Sequence, residues 1–256
     1  MKTTTAQPPR PAGGFTIVEV MISMTICSLV MGLALSNFLV GARAMYRDTI
    51  RLQTNASLRY FTEQMSKETV DASEFYLFTD YKKLDGTVDI DDTDGSSDMA
   101  VPADDGNGTN IALGDCILLV TRTSLDTGSL VRSFRLYFRA IAAANVSNAA
   151  PIRYYESQDY GTSGTATTLA ALLNQVAIAN NASYARSGDT NRQITATAKG
   201  KRLGSTSTYY PIFCSEAPTV SATNESFSIN VEFINGNSTI NMLSTSSFNY
   251  TVSPRR

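Results

Sequence analysis

FTIVEVMISMTICSLVMGLALSNFLVGA, residues 15–42, is a 28-residue run whose one charged side chain is Glu19. Crossing about 30 Å of hydrocarbon takes roughly 20 apolar residues in a helix, so the run is long enough to span a bilayer. A buried core helix of this length would carry a polar face, and this one has none. A cleavable secretory signal would put its small residues after a short apolar stretch, whereas Ala12-Gly13-Gly14 come before it. The run therefore reads as a membrane-spanning helix.

Upstream, residues 1–14 (MKTTTAQPPRPAGG) hold Lys2 and Arg10, three prolines and no acid. Inside the run, Glu19 is the anomaly. A carboxylate at the centre of a spanning helix costs on the order of 2.5–3.5 kcal/mol, and less near its end. Glu19 reads as a second-turn residue, either lying at the headgroup level or meeting a positive partner. Arg43, Arg47 and Arg51 follow the span, so the distribution of basic residues does not choose an orientation.

Gly14-Phe15-Thr16-Ile17-Val18-Glu19-Val20, after a short basic leader and before the apolar helix, resembles the class III signal of type IV pilins and type II secretion pseudopilins. The resemblance implies that a prepilin peptidase cuts between Gly14 and Phe15 on the cytoplasmic side and that Phe15 is N-methylated. It also implies a single pass in the bacterial inner membrane, with the N-terminus cytoplasmic and the head periplasmic or extracellular. Cutting creates an α-amino group of reference pKa about 8. In a bundle of such helices, Glu19 of one subunit would pair with the Phe15 ammonium of a neighbour. An unpaired buried charge costs several kcal/mol, so the pair would fix axial register. The partners so implied are the peptidase, other pilin or pseudopilin subunits and the membrane. Pilins often carry a mid-span proline; here Ser36 occupies that region.

Helical signals continue past the span. No proline occurs between Phe15 and Val101, and no glycine between Ala42 and Asp85. Leu58, Phe61, Met65 and Ala72 fall on one helix face, with Arg59, Glu63, Lys67, Glu68 and Asp71 mostly elsewhere. Residues 43–78 are read as an amphipathic continuation, the helix running to about Ala72 and roughly 85 Å long. Residues 79–256 are read as a β-rich head. The expected fold is α+β: a long N-terminal helical spine packed on a C-terminal antiparallel sheet, pilin-like.

Within the head, residues 79–110 read as a loop with nine Asp from Asp80 to Asp105. The run Asp89-Ile90-Asp91-Asp92-Thr93-Asp94-Gly95 glances at a calcium loop, but with Gly95 sixth, Ile90 takes the first position and Val101 the twelfth. A solvated acidic loop is the better reading. Strands are expected at Cys116–Thr123, Leu130–Ile141 and Ile152–Tyr155. In the second of these, Arg135, Tyr137 and Arg139 would form a wet face and Arg132, Arg135 and Arg139 a candidate partner strip. Residues 157–207 read as an insertion, with Thr168 capping a helix Leu169–Ala179. An edge strand Thr208–Cys214 follows. Then comes Ser226–Ile234, turning at Asn235-Gly236 into a return strand at about Ser238–Leu243.

The 256 residues include no His and three Cys, with no C-x-x-C. Without His, the usual general base, the Ser-His and Cys-His pairs and the commonest zinc ligand are missing. No carboxylate pair stands in a recognisable motif, so a hydrolase is disfavoured and no cofactor is expected. The formal net charge of −2 argues against a phosphate-backbone binder, and removal of Lys2 and Arg10 makes it more negative. Arg153, Tyr154, Tyr155, Tyr209 and Tyr210 are candidates for base stacking under a DNA-uptake or adhesive alternative. An exported head permits a Cys116–Cys214 disulfide, which the sequence leaves open. Length and an all-β head after a long helix resemble minor subunits, the W-type minor pilins and J-type pseudopilins, more than a compact major pilin.

Overall fold

The computed structural model describes residues 13–90, 99–100, 103–104, 110–124, 129–139, 150–178, 190–193, 197–200, 211–216, 226–237 and 242–254. The chain divides into two units, Met1–Asp48 and Thr49–Arg256. One helix of 55 residues, α1 (Ile17–Asp71), runs through both. In the first unit every described residue is exposed, and large apolar side chains lie all round the helix, Ile17 at 81% and Phe38 at 70% exposure. This segment is long and apolar enough to cross a membrane.

In the second unit the same helix becomes one-sided. Ile50, Thr54, Phe61, Met65, Glu68 and Thr69 are buried, following the 3.6-residue period. Burying side chains the size of Phe61 and Met65 contributes about 1.5–3 kcal/mol each. The two buried threonines return their hydroxyls to the preceding turn, Thr54 to Ile50 O at 2.8 Å and Thr69 to Met65 O at 2.7 Å. No hydroxyl is thereby left bare.

α1 ends at Asp71, one residue short of the expected Ala72, so the rest of the segment read as its continuation, up to residue 78, is not helical. Ser73 donates its N–H to Val120 O at 2.8 Å, and β1 (Glu74–Phe78) pairs antiparallel with β4 (Cys116–Arg122). The consecutive Phe75, Tyr76, Leu77 and Phe78 are all buried. A helix has no use for four adjacent apolar side chains, but a strand covered on both faces does.

The first sheet runs β1-β4-β5-β6-β7, adding β5 (Val131–Arg139), β6 (Ile152–Glu156) and β7 (Thr190–Gln193). The second runs β11-β10-β9-β3-β2, with β2 (Ala103–Asp104), β3 (Asn110–Gly114), β9 (Phe213–Glu216), β10 (Phe227–Asn237) and β11 (Met242–Val252). β8 (Thr197–Gly200) pairs alongside β10. All named pairings are antiparallel. This is the α+β, pilin-like architecture expected.

Two cores flank the first sheet. On one side Phe75, Ile117, Leu119 and Tyr137 meet Phe61 and Met65 of α1 and Phe213, Phe227 and Phe233 of the second sheet. On the other, Phe78, Leu118, Phe134 and Phe138 meet Leu169, Leu172, Leu173 and Val176 of α2 (Leu169–Val176). Thr168 caps α2 as expected, accepting from Ala171 N at 3.3 Å. A left-handed Ala177 ends it.

With both faces covered, β5 has no wet face: Tyr137 and Arg139 are fully buried. Segment 79–110 is not all loop, since β2 and the start of β3 lie in it. Segment 157–207 supplies β7 to one sheet and β8 to the other. Pro211 precedes β9, which starts only at Phe213.

The last hairpin is longer than the Asn-Gly signal implies. Asn235 and Gly236 are strand residues paired with Ser244 and Leu243, and the return strand is continuous from Met242 to Val252. The apolar face sets this register: Phe227 lies opposite Val252 and Ile229 opposite Tyr250, all packed on one core. A turn at residues 235–236 would instead bring Ser244 opposite Phe227.

Candidate processing and assembly site

Residues 13–16 are non-helical and exposed, and nothing lies within 4 Å of a side chain built at Gly13 or Gly14. Among the described residues nothing covers the Gly14–Phe15 peptide. Phe15 is 87% exposed and lines a shallow groove with Val20, Ser23, Met24 and Cys27. Phe15 and Val20 occupy the two positions of a hydrophobic staple across a helix start.

Thr16 begins the helix. Its carbonyl accepts the first i→i−4 bond, from Val20 N at 3.2 Å, and its Oγ1 accepts from Glu19 N at 3.2 Å. Glu19 Oε2 in turn accepts from Thr16 N at 3.0 Å and from Thr16 Oγ1 at 3.1 Å. This reciprocal arrangement is a capping box, and it corrects the placing of Glu19: the residue lies in the first turn, because the helix starts at Ile17. There the exposed N–H groups and the helix dipole favour a negative charge. Both bonds accepted from Thr16 fall on Oε2, which leaves Oε1 as an acceptor for a further donor. Thr16 is the site residue that sequence reasoning missed. The signal was present, as Thr16-x-x-Glu19 before an apolar run.

Residues 9–35 match the prokaryotic N-terminal methylation motif. The motif supports a member of the type IV pilin and pseudopilin superfamily, a structural subunit processed by a prepilin peptidase and assembled with other pilin subunits. With the apolar helix behind it, the motif fits a pilin anchored in the inner membrane. No curated protein and no solved structure matches the chain.

Outside the motif, the candidate sites of the head become internal. Arg139 is fully buried against Asp115, Nη2 to Oδ2 at 2.6 Å, and Asp115 Oδ1 accepts from Ile212 N at 3.1 Å. Burial pushes the Asp115 carboxyl above its ordinary pKa despite the guanidinium beside it. Arg135 bonds Glu156 at 2.9 Å and lies 3.8 Å from Glu68. Arg132 is the outer member of the three, paired with Asp159 at 3.0 Å. That hydrogen bond raises the guanidinium pKa and lowers the carboxyl pKa. The three arginines thus form no open strip.

Glu68 lies on the buried stripe of α1. It accepts from Tyr137 Oη at 2.5 Å, Tyr154 Oη at 3.0 Å and Gln64 Nε2 at 2.8 Å. Burial, then the Glu68 charge, pushes both tyrosine hydroxyls up. Tyr154 and Tyr155 are buried and offer no face to a base; Tyr209 and Tyr210 lie outside the described residues, as does most of the Asp-rich run. Among the described residues no cluster of metal-binding side chains occurs.

Cys116 and Cys214 are thiols, not a disulfide. The pleat explains it. Ile117 and Phe213 point into the core shared by the two sheets, so their neighbours Cys116 and Cys214 point to the opposite faces. Burial raises the Cys116 thiol pKa well above its ordinary value.

Proposed function

We propose that the chain is a minor pilin or pseudopilin, a structural subunit of a type IV pilus or type II secretion pseudopilus. The observation that carries this reading is the methylation motif at residues 9–35, joined to an exposed Gly14–Phe15 peptide and a capped Glu19 in the first turn of an apolar helix. The peptidase cuts after Gly14 and Phe15 is methylated. The new ammonium, one residue before Thr16, is the donor that Oε1 of Glu19 takes, from a neighbouring subunit in the filament. The capping box holds the carboxylate in place until then, lowering the cost of carrying a bare charge into the membrane. Residues 43–256 lie on the far side of the inner membrane from the peptidase. Length and the β-rich head favour a minor subunit.

Mass spectrometry of the membrane-extracted chain tests the processing step. We expect an N-terminus at Phe15 bearing one methyl group; an intact Met1 start in cells with a working prepilin peptidase would overturn it. Glu19→Ala is expected to insert normally but to be lost from the sheared filament fraction. Incorporation at the native level would remove Glu19 from the assembly step.

A further inference from the structure

The strand edges of the head differ in how they are closed. Along β1, Ala100 donates its N–H to Leu77 O at 2.7 Å and Met99 bridges Phe78. β2 has two residues, and β7 and β8 have four each, with Arg192 and Lys199 among them. Ala150 bridges Ala198 of β8. Short length, charge and covering segments are the usual defences of an edge. β11 is neither short nor charged, and no segment among the described residues pairs with its outer edge. The strand is 11 residues long and holds no charge and no proline. Its register with β10 is unbroken from Val252 to Met242, without a bulge.

The backbone directions along β11 follow from one bond. Asn230 N donates to Ile212 O at 2.8 Å, so the backbone groups of Asn230 point toward β9 and away from β11. The facing pair Asn230–Asn249 is then a non-hydrogen-bonded one, and the N–H and C=O of Asn249 point to the outer edge. The Ser228 and Thr251 hydroxyls, 2.9 Å apart, fit the close side-chain approach of such pairs. With a period of two, Thr245, Ser247, Asn249 and Thr251 all present their backbone outward, and none has a strand partner on that side among the described residues.

We propose that this edge pairs with β11 of a second copy of the chain. An antiparallel match about a two-fold axis at Phe248 sets Thr245 opposite Thr251 and Ser247 opposite Asn249, each twice. Every outward N–H then meets an outward C=O. The unit Thr49–Arg256 has more acids than bases, yet residues 237–254 carry no charge. The seam therefore joins two like-charged bodies where no like charges face each other. The contact is isologous and closes on itself, which distinguishes it from the open helix packing of a filament.

Hydrogen exchange on the full-length processed chain in detergent micelles tests the seam, followed across a roughly hundredfold dilution series. Exchange at Thr245, Ser247, Asn249 and Thr251 is expected to slow by at least ~10-fold at the concentrated end. Ser247→Pro removes an outward donor and no β10 ladder bond. Asn249→Lys puts like charge into the seam. In both variants the concentration dependence is expected to vanish, while protection of the β10-facing amides stays at the native level. Should the proline unfold the hairpin, the lysine variant and the native dilution series still decide. Protection of the four amides equal at all concentrations would mean that the chain covers its own edge. Free exchange at all concentrations would mean that nothing does. Either result overturns the proposal.

Discussion

Glu68→Ala removes one carboxylate on which three donors converge: the Tyr137 and Tyr154 hydroxyls and the Gln64 amide. Gln64 lies on the same helix at an intermediate depth and loses one bond from its amide. Both tyrosine rings are buried on strands of the first sheet, so each hydroxyl loses Glu68 as its acceptor, Tyr137 outright and Tyr154 with the Glu156 carboxylate still beside it. A buried hydroxyl without an acceptor costs about 1–3 kcal/mol, and a hydrogen bond to a charged acceptor contributes about 1.5–3 kcal/mol. A stranded Tyr137 and a Tyr154 left to Glu156 give a loss of roughly 2–4 kcal/mol. For a unit of this size 1 kcal/mol moves the midpoint by about 2–4 °C, so a fall of roughly 10 °C is expected. A thermal melt followed by the near-ultraviolet circular dichroism of the tyrosines measures it. Adding Tyr137→Phe and Tyr154→Phe to the Ala variant removes both hydroxyls and should restore part of the loss. A midpoint within about 2 °C of the native chain, or no restoration in the triple variant, would refute the assignment of Glu68 as the polar tie between α1 and the sheet.

Three further outcomes are expected. An alkylating reagent should leave Cys116 unmodified in the native chain, because it is buried with a raised pKa; three thiols should count under denaturing, non-reducing conditions, and fewer would restore the disulfide. Gly114→Ala places a methyl group onto the carbonyl oxygen of Phe78, so the urea midpoint should fall by the equivalent of about 2 kcal/mol or more, and an unchanged midpoint would show that β1 and β3 can separate there. Asp159 is held below its ordinary pKa by Arg132. Its contribution is therefore present above the unfolded value of about 3.9 and lost as pH falls through the lower folded value. Asp159→Asn should be the less stable chain near neutrality, with the difference closing in acid; a gap that widens in acid would reverse the sign.

Where local chemistry decides, the sequence was readable. The apolar run, the stripe Phe61–Met65, the Thr168 cap and the strands around Leu118 and Leu136 are each set by neighbours within a few residues. β1 was hidden because its four apolar residues follow a helix without a breaker, and only pairing with β4 makes them a strand. Arg139 and Glu68 were misplaced for a related reason: alternation marks which face a side chain takes but not what covers that face. Here α1 and the second sheet cover the face from which solvent was expected. The last hairpin shows tertiary register overriding a strong turn signal. The capping box is a different kind of miss, since Thr16 and Glu19 were both in view and only their reciprocity was overlooked.

Asp115 alone carries the chain from β3 in one sheet to β4 in the other, with its carboxylate held by Arg139 and the Ile212 amide. Such a junction leaves no slack. One inserted residue would invert β4, turning Ile117 and Leu119 toward α2 and Cys116, Leu118 and Val120 toward α1. Variation in length among chains of this kind should therefore gather in the connections beyond the sheets and spare this crossing.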